Sequence, residues 1–178
     1  MMIYYSADRR GLYSPDREIS LTQWNDVSPS ILQDFLNNNY PEGLSTHGEM
    51  YLLKNTAVAT NTSVLLEMLL ENVRLAKFPE KPSRLQSMFA CRTIEEVRSF
   101  QNGVGANAGG HIYEVVSDAP VHVGDMGLYT LNCTSIVLMS RLDMYWRGET
   151  LPADLAPEHQ PFWEVIVPLP AMIGRQVA

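Results

Sequence analysis

Residues 83–100 read Ser-Arg-Leu-Gln-Ser-Met-Phe-Ala-Cys-Arg-Thr-Ile-Glu-Glu-Val-Arg-Ser-Phe. Leu85 to Cys91 is a short run dominated by apolar side chains, the length of a strand, and Thr93-Ile94-Glu95-Glu96 behind it has the form of a capping box. The pattern predicts a strand followed by a short helix to about Phe100. Working outward, Asn102 to Gly110 holds four glycines and reads as a loop, and Ile112 to Val116 resumes strand character. On the amino-terminal side, a helix is expected from Thr62 or Ser63 to Lys77, with Val64, Leu65, Met68, Leu69, Val73 and Ala76 near helical spacing and Pro79 just beyond. Ser28-Pro29 opens another helix, with Ile31, Leu32, Phe35 and Leu36 as its apolar face, ending before Pro41 and Gly43.

The ends follow the same logic. Met2 to Ser6 is β-branched and aromatic, an opening strand, and Asp8 to Asp16 is a loop. Thr134 to Trp146 predicts a helix with Ile136, Leu138, Leu142 and Tyr145 inward and Gly148 at its carboxyl cap. Pro152 to Pro161 is a loop, and Phe162 to Val167 is the last strongly β-like run before a short tail. Strands and helices mix without regular alternation, which points to an α+β domain over a doubly wound sheet.

A chain of 178 residues fits one domain spanning 1–178. Its 46% hydrophobic and 19% charged residues are those of a chain with a core. A net charge of −7 has the wrong sign for a protein that grips phosphate backbones in general. Two cysteines, Cys91 and Cys133, make neither a disulfide framework nor a zinc site, and the four histidines, His47, His111, His122 and His159, show no helical metal spacing, so no metal is expected. No basic flank with an apolar stretch opens the chain, and no apolar run nears the roughly 18 residues of a membrane span. A cytoplasmic protein is expected, with delivery into another cell left open.

Dinucleotide, nucleoside-triphosphate and esterase fingerprints are missing. What remains is polar residues at the edges of apolar strands. Glu164 interrupts Phe162-Trp163 and Val165-Ile166-Val167. Buried there, a carboxylate could have its charge focused or its pKa raised for catalysis; on an alternating strand it would simply face water. Arg84 and Ser87 flank a strand in the same way, as a phosphate fork and a carboxylate's partner or as ordinary surface groups.

Taken in order, seven segments resemble a bacterial and phage family related to the NAD-dependent ADP-ribosyltransferases. They are Tyr4 to Arg9, Leu44 to Leu52, Leu66 to Arg74 with Phe78-Pro79, Ser83 to Ala90, Tyr113 to Val115, Tyr145 to Gly148, and Trp163 to Val167. The resemblance implies a split, mixed β-sheet core with a nicotinamide cleft between its halves. It implies transfer of ADP-ribose from NAD to a protein or other macromolecular target, as a toxin or effector in phage–host conflict.

Residue roles follow from the same resemblance. Glu164 and Ser87 would be catalytic: Glu164 stabilises an oxocarbenium-like sugar, as carboxylates do in glycoside hydrolases, and Ser87 fixes its rotamer. Tyr5 stands where relatives carry His or Arg on the first strand. Tyr5, Arg9, His47, Arg84 and Phe89 are the expected NAD contacts, with Arg84 or Arg9 on the pyrophosphate and Phe89 as an aromatic wall. His47 either approaches the cleft or packs against Tyr51. The glycine-rich loop would shape the target site. Two other outcomes stay open: an NAD glycohydrolase, and a non-catalytic binding or inhibitory module that keeps the fold, to which Tyr5 lends support.

Overall fold

A computed structural model describes residues 2–55, 61–103 and 110–178. The opening strand β1, Met2–Ala7, turns Tyr4 and Ser6 into the core. It pairs with β4, Ile112–Ser117, Tyr5 lying opposite Glu114. Beyond β4 come β7, Ala171–Gln176, and the two-residue β2, Glu18–Ile19, giving the order β1-β4-β7-β2. A second sheet has the order β3-β6-β5, built from Ser87–Ala90, Trp163–Pro168 and His122–Asp125. The sheets meet where Tyr5 and Cys91 exchange backbone hydrogen bonds of 2.9 and 2.7 Å. All ladders among the described residues are antiparallel, so the expected mixed sheet gives way to two antiparallel ones in an α+β fold.

Among the described residues five α-helices flank the sheets: α1 (Ser30–Asn39), α2 (Thr46–Gly48, running on as a π-helical segment, Glu49–Lys54), α3 (Thr62–Lys77), α4 (Ile94–Asn102) and α5 (Ser135–Arg147). Gly148 caps α5 in the left-handed conformation, φ 74°, as its sequence position predicts. Thr93 caps α4 by accepting from the Glu96 amide at 3.1 Å. The reciprocal bond is displaced by one residue, since Glu96 accepts from the amide of Arg92, not of Thr93. Val115, Val165, Val167 and Ile173 fill one apolar cluster; Leu70, Leu128, Leu142, Tyr145, Trp146 and Ile166 fill another.

Three expectations change. The carboxyl-terminal tail is β7, and β5, four residues with Gly124 among them, is too short to carry a strand pattern. On α1, only Leu36 of the expected apolar face is buried; Ile31, Leu32 and Phe35 are exposed. On α3, the buried stripe is Val64, Glu67, Leu70, Glu71 and Arg74, while Leu69 is exposed. The helix thus turns charged residues inward because other buried polar groups await them.

Candidate functional site

Arg84 organises the interior. It sits in the 3₁₀ turn Arg84–Gln86 that leads into β3, and 3% of its side chain is exposed. Its guanidinium donates to both oxygens of Glu67 on α3, Nε to Oε2 and Nη2 to Oε1, each at 2.8 Å. Nη1 donates to the Tyr145 hydroxyl at 2.6 Å and to Oε1 of Glu164. The rings of Phe89, Tyr129 and Tyr145 pack about the same cation, with its central carbon 4.6, 5.4 and 5.7 Å from their centroids. An arginine, planar and weakly hydrated, suits such a position where a lysine would not.

Glu164 stands one residue into β6, opposite Gly124 of β5. Three donors converge on its Oε1: Arg84, Tyr145 at 2.7 Å and Tyr129 at 3.2 Å. Oε2 has no hydrogen-bond partner among the described residues. The carboxylate is therefore anchored by one oxygen and unpaired at the other. Gly124 makes this possible, because a Cβ there would overlap the ring of Tyr145.

The electrostatics are lopsided. Two buried carboxylates, Glu67 and Glu164, face one buried guanidinium, leaving one negative charge in excess among these three groups. Burial opposes ionisation of Glu67, but Arg84's charge and hydrogen bonds outweigh it and hold the carboxyl well below the usual range. Burial likewise opposes a charged Arg84, and Glu164 and Glu67 more than offset it. Burial and the neighbouring Glu164 keep the phenols of Tyr129 and Tyr145 protonated, so both are donors.

Above this charge cluster lies an aromatic group. The His47 ring is 4.5 Å from Tyr51 and 4.6 Å from Phe89, tilted against both. Its Nε2 approaches Glu67 Oε2 to 3.2 Å, out of line for a hydrogen bond. Gly48, next to it, lets α2 lie on the turn that carries Arg84, since a Cβ would overlap the Leu85 carbonyl. Exposed Arg9 and Arg10 follow β1, in a loop where Asp8 accepts amides from Arg10, Leu12 and Tyr13. Arg9 stacks over Phe100 at 5.3 Å, and Arg10 Nη2 reaches the Met50 sulfur at 3.5 Å.

His47, Arg84, Phe89 and Glu164 are thus brought together, with Arg9 and Arg10 on an exposed loop. Ser87 is not part of the group. It pairs with Pro168, four residues along β6 from Glu164, about 13 Å at strand spacing, and its hydroxyl donates to the Ser83 carbonyl at 2.6 Å. Tyr145 and Tyr129 hold Glu164 in place of the expected serine. Arg84, engaged with two carboxylates in the interior, is not free for a pyrophosphate. Tyr5 packs with Cys91, Val97 and Ile112 on the side of α4. Residues 104–109 of the glycine-rich loop lie outside the described residues. Sequence reasoning missed Glu67 and Tyr129; the available signal was Glu67, Glu71 and Arg74 at helical spacing within an otherwise apolar helix.

A family model described as a protein of unknown function (DUF2441) matches residues 8–158, most of the chain. The chain belongs to this DUF2441 family. No curated protein matches it. The matched span includes His47, Glu67, Arg84, Phe89, Tyr129 and Tyr145 and ends before β6, so Glu164 lies beyond it. Among the described residues, no group of three or more His, Cys, Asp or Glu side chains is gathered as metal ligands, and no helix is long and apolar enough to cross a membrane.

Proposed function

We propose that this chain cleaves NAD at the nicotinamide–ribose bond and passes ADP-ribose to a protein or other macromolecular acceptor. The observation that carries this reading is the half-anchored carboxylate of Glu164: Oε1 is fixed by Arg84, Tyr129 and Tyr145, while Oε2 has no partner among the described residues. When the glycosidic bond breaks, its electron pair leaves with nicotinamide and positive charge builds on the ribose. A carboxylate locked in one orientation, with Arg84 already shared with Glu67, stabilises that charge without reorganising.

The neighbouring features suit the rest of such a ligand. His47, Tyr51 and Phe89 offer aromatic surface for a nicotinamide ring, and Arg9 and Arg10 offer exposed cations for a pyrophosphate. An ADP-ribosyltransferase-like arrangement is supported by two sheets adjoining at β1 and β3 and by a glutamate at the start of a late strand. A second reading, a binding or inhibitory module on the same fold, draws on Tyr5, whose ring is packed with Cys91 and Val97 where relatives of the resembled family carry a cation.

The test is incubation of the purified protein with labelled NAD and lysates of plausible hosts, beside Glu164→Gln, with folding of both checked by circular dichroism. Glutamate-dependent labelling of a macromolecule supports the transferase. Glutamate-dependent nicotinamide release without label replaces it with a glycohydrolase. Neither label nor nicotinamide from folded wild-type protein overturns the catalytic reading and leaves the binding module.

A further inference from the structure

Two helices expose apolar faces of opposite shape and charge. On α5, Ile136 is 78% and Met139 66% exposed, although an inward Ile136 was expected. Beside them runs an open groove of about 350 Å³ lined by Ile136, Val137, Ser140, Arg141, Met144 and Leu151. Arg141 is its cation, and its Nε is buried with no hydrogen-bond partner among the described residues. That nitrogen is out of reach of an incoming group, but the half-buried guanidinium as a whole forms no ion pair among the described residues and leaves the groove's positive charge uncompensated. The complement of an apolar groove with such a cation is a carboxylate set among apolar side chains.

Such a surface exists on this chain. On α1, Ile31 is 71% and Phe35 54% exposed, with Leu32 beside them, while only Leu36 is buried. Asp34 lies one turn from Ile31 and next to Phe35, exposed, with no ion pair or hydrogen bond among the described residues. Ile31, Asp34 and Phe35, at helical spacing i, i+3 and i+4, therefore present two apolar knobs with an acid on one edge. An apolar cavity of about 150 Å³ accepts a benzene ring, so the α5 groove has room for both side chains. Helix-in-groove recognition takes this form.

We propose that the chain associates with a second copy of itself, α1 of one protomer seating Ile31 and Phe35 in the α5 groove of the next and Asp34 pairing with Arg141. The two patches differ, so the contact is heterologous and builds a ring or a chain of protomers. This does not depend on the proposed chemistry.

Charge swapping tests it on the full-length protein by sedimentation velocity between about 1 and 100 µM, a range spanning weak to moderate self-association. Wild type is expected to form oligomers in that range. Asp34→Arg and Arg141→Asp should each sediment as monomers, because like charges then meet at the contact. Mixed one to one, they should associate again, since every junction regains an opposite pair. Both positions lie outside the core, and a thermal melt confirms that each variant folds. A monomeric wild type, single variants that associate as wild type does, or a mixture that stays monomeric would each overturn the proposal.

Discussion

Gly124 lies directly across the β5–β6 ladder from Glu164, and the space left by its missing side chain is taken by the ring of Tyr145. One glycine in a short strand thus admits the phenol that anchors the carboxylate. Gly124→Ala should force that ring aside. The expected result is a loss of about 1–3 kcal/mol of stability by overpacking, read from urea denaturation. The proposed NAD cleavage should fall with it. A variant as stable and as active as wild type would show that Tyr145 does not depend on this gap.

Tyr145 itself bridges Arg84 and Glu164, accepting from one at 2.6 Å and donating to the other at 2.7 Å. Tyr145→Phe keeps the fully buried ring and removes only the hydroxyl. Hydrogen bonds to charged groups contribute about 1.5–3 kcal/mol, and a loss in that range is expected. Tyr129→Phe removes the longer 3.2 Å bond and should cost less. The order of the two midpoints in chemical denaturation checks this.

Arg84 balances two carboxylates, so its removal leaves both buried without a counterion. Arg84→Met should destabilise by about 3–5 kcal/mol. Adding Glu67→Gln to that background should recover part of the loss, because one of the stranded charges disappears. A double variant no more stable than Arg84→Met would mean that Glu67 escapes to water when the arginine is gone. Differential scanning calorimetry of the three proteins decides between these.

His122 sets a pH dependence. Its ring is stacked on Trp146 with centroids 5.0 Å apart, its Nε2 lies 2.9 Å from the Tyr145 carbonyl, and burial pushes its pKa down to about 4. Against an ordinary value of 6.5, the unfolded chain binds the extra proton first as pH falls. Stability is therefore fully present above pH 6.5 and declines from there toward pH 4, by about 3 kcal/mol in all. Glu67, whose pKa is also lowered, begins to add its own loss only near its ordinary value of 4.5. Between pH 6.5 and 4.5, His122→Gln should flatten the slope of unfolding free energy against pH. An unchanged slope would remove His122 as its source.

Much of the framework was legible in local patterns. The strand around Met88, the helix behind Thr93, the Gly148 cap and the β-like run at Val165 each follow from residues within a few positions of one another. Faces were harder. On α3 the leucines and methionine suggested one inward side, yet Glu67, Glu71 and Arg74 are buried instead, Glu71 holding Arg74 at 2.8 and 3.1 Å and accepting from Ser83 at 2.9 Å. Periodicity cannot reveal that a charge will find its complement 17 residues away, as Glu67 finds Arg84. Ser87 failed for the same reason: its neighbour in sequence, Ser83, satisfies it, and strand register carries it away from Glu164.

The sequence by itself determined an α+β chain, the place of Glu164 in a β-like run, and the aromatic and basic residues available around it, because propensity and punctuation act over short distances. Only the tertiary structure decided that Glu164 meets Arg84, Tyr129 and Tyr145 through a single oxygen, since those groups come from a turn before β3, a segment after β5 and helix α5. Their convergence is fixed by ladder register, by Gly124 and Gly48 where backbone or ring must pass close, and by the demand that every buried charge find an opposite one.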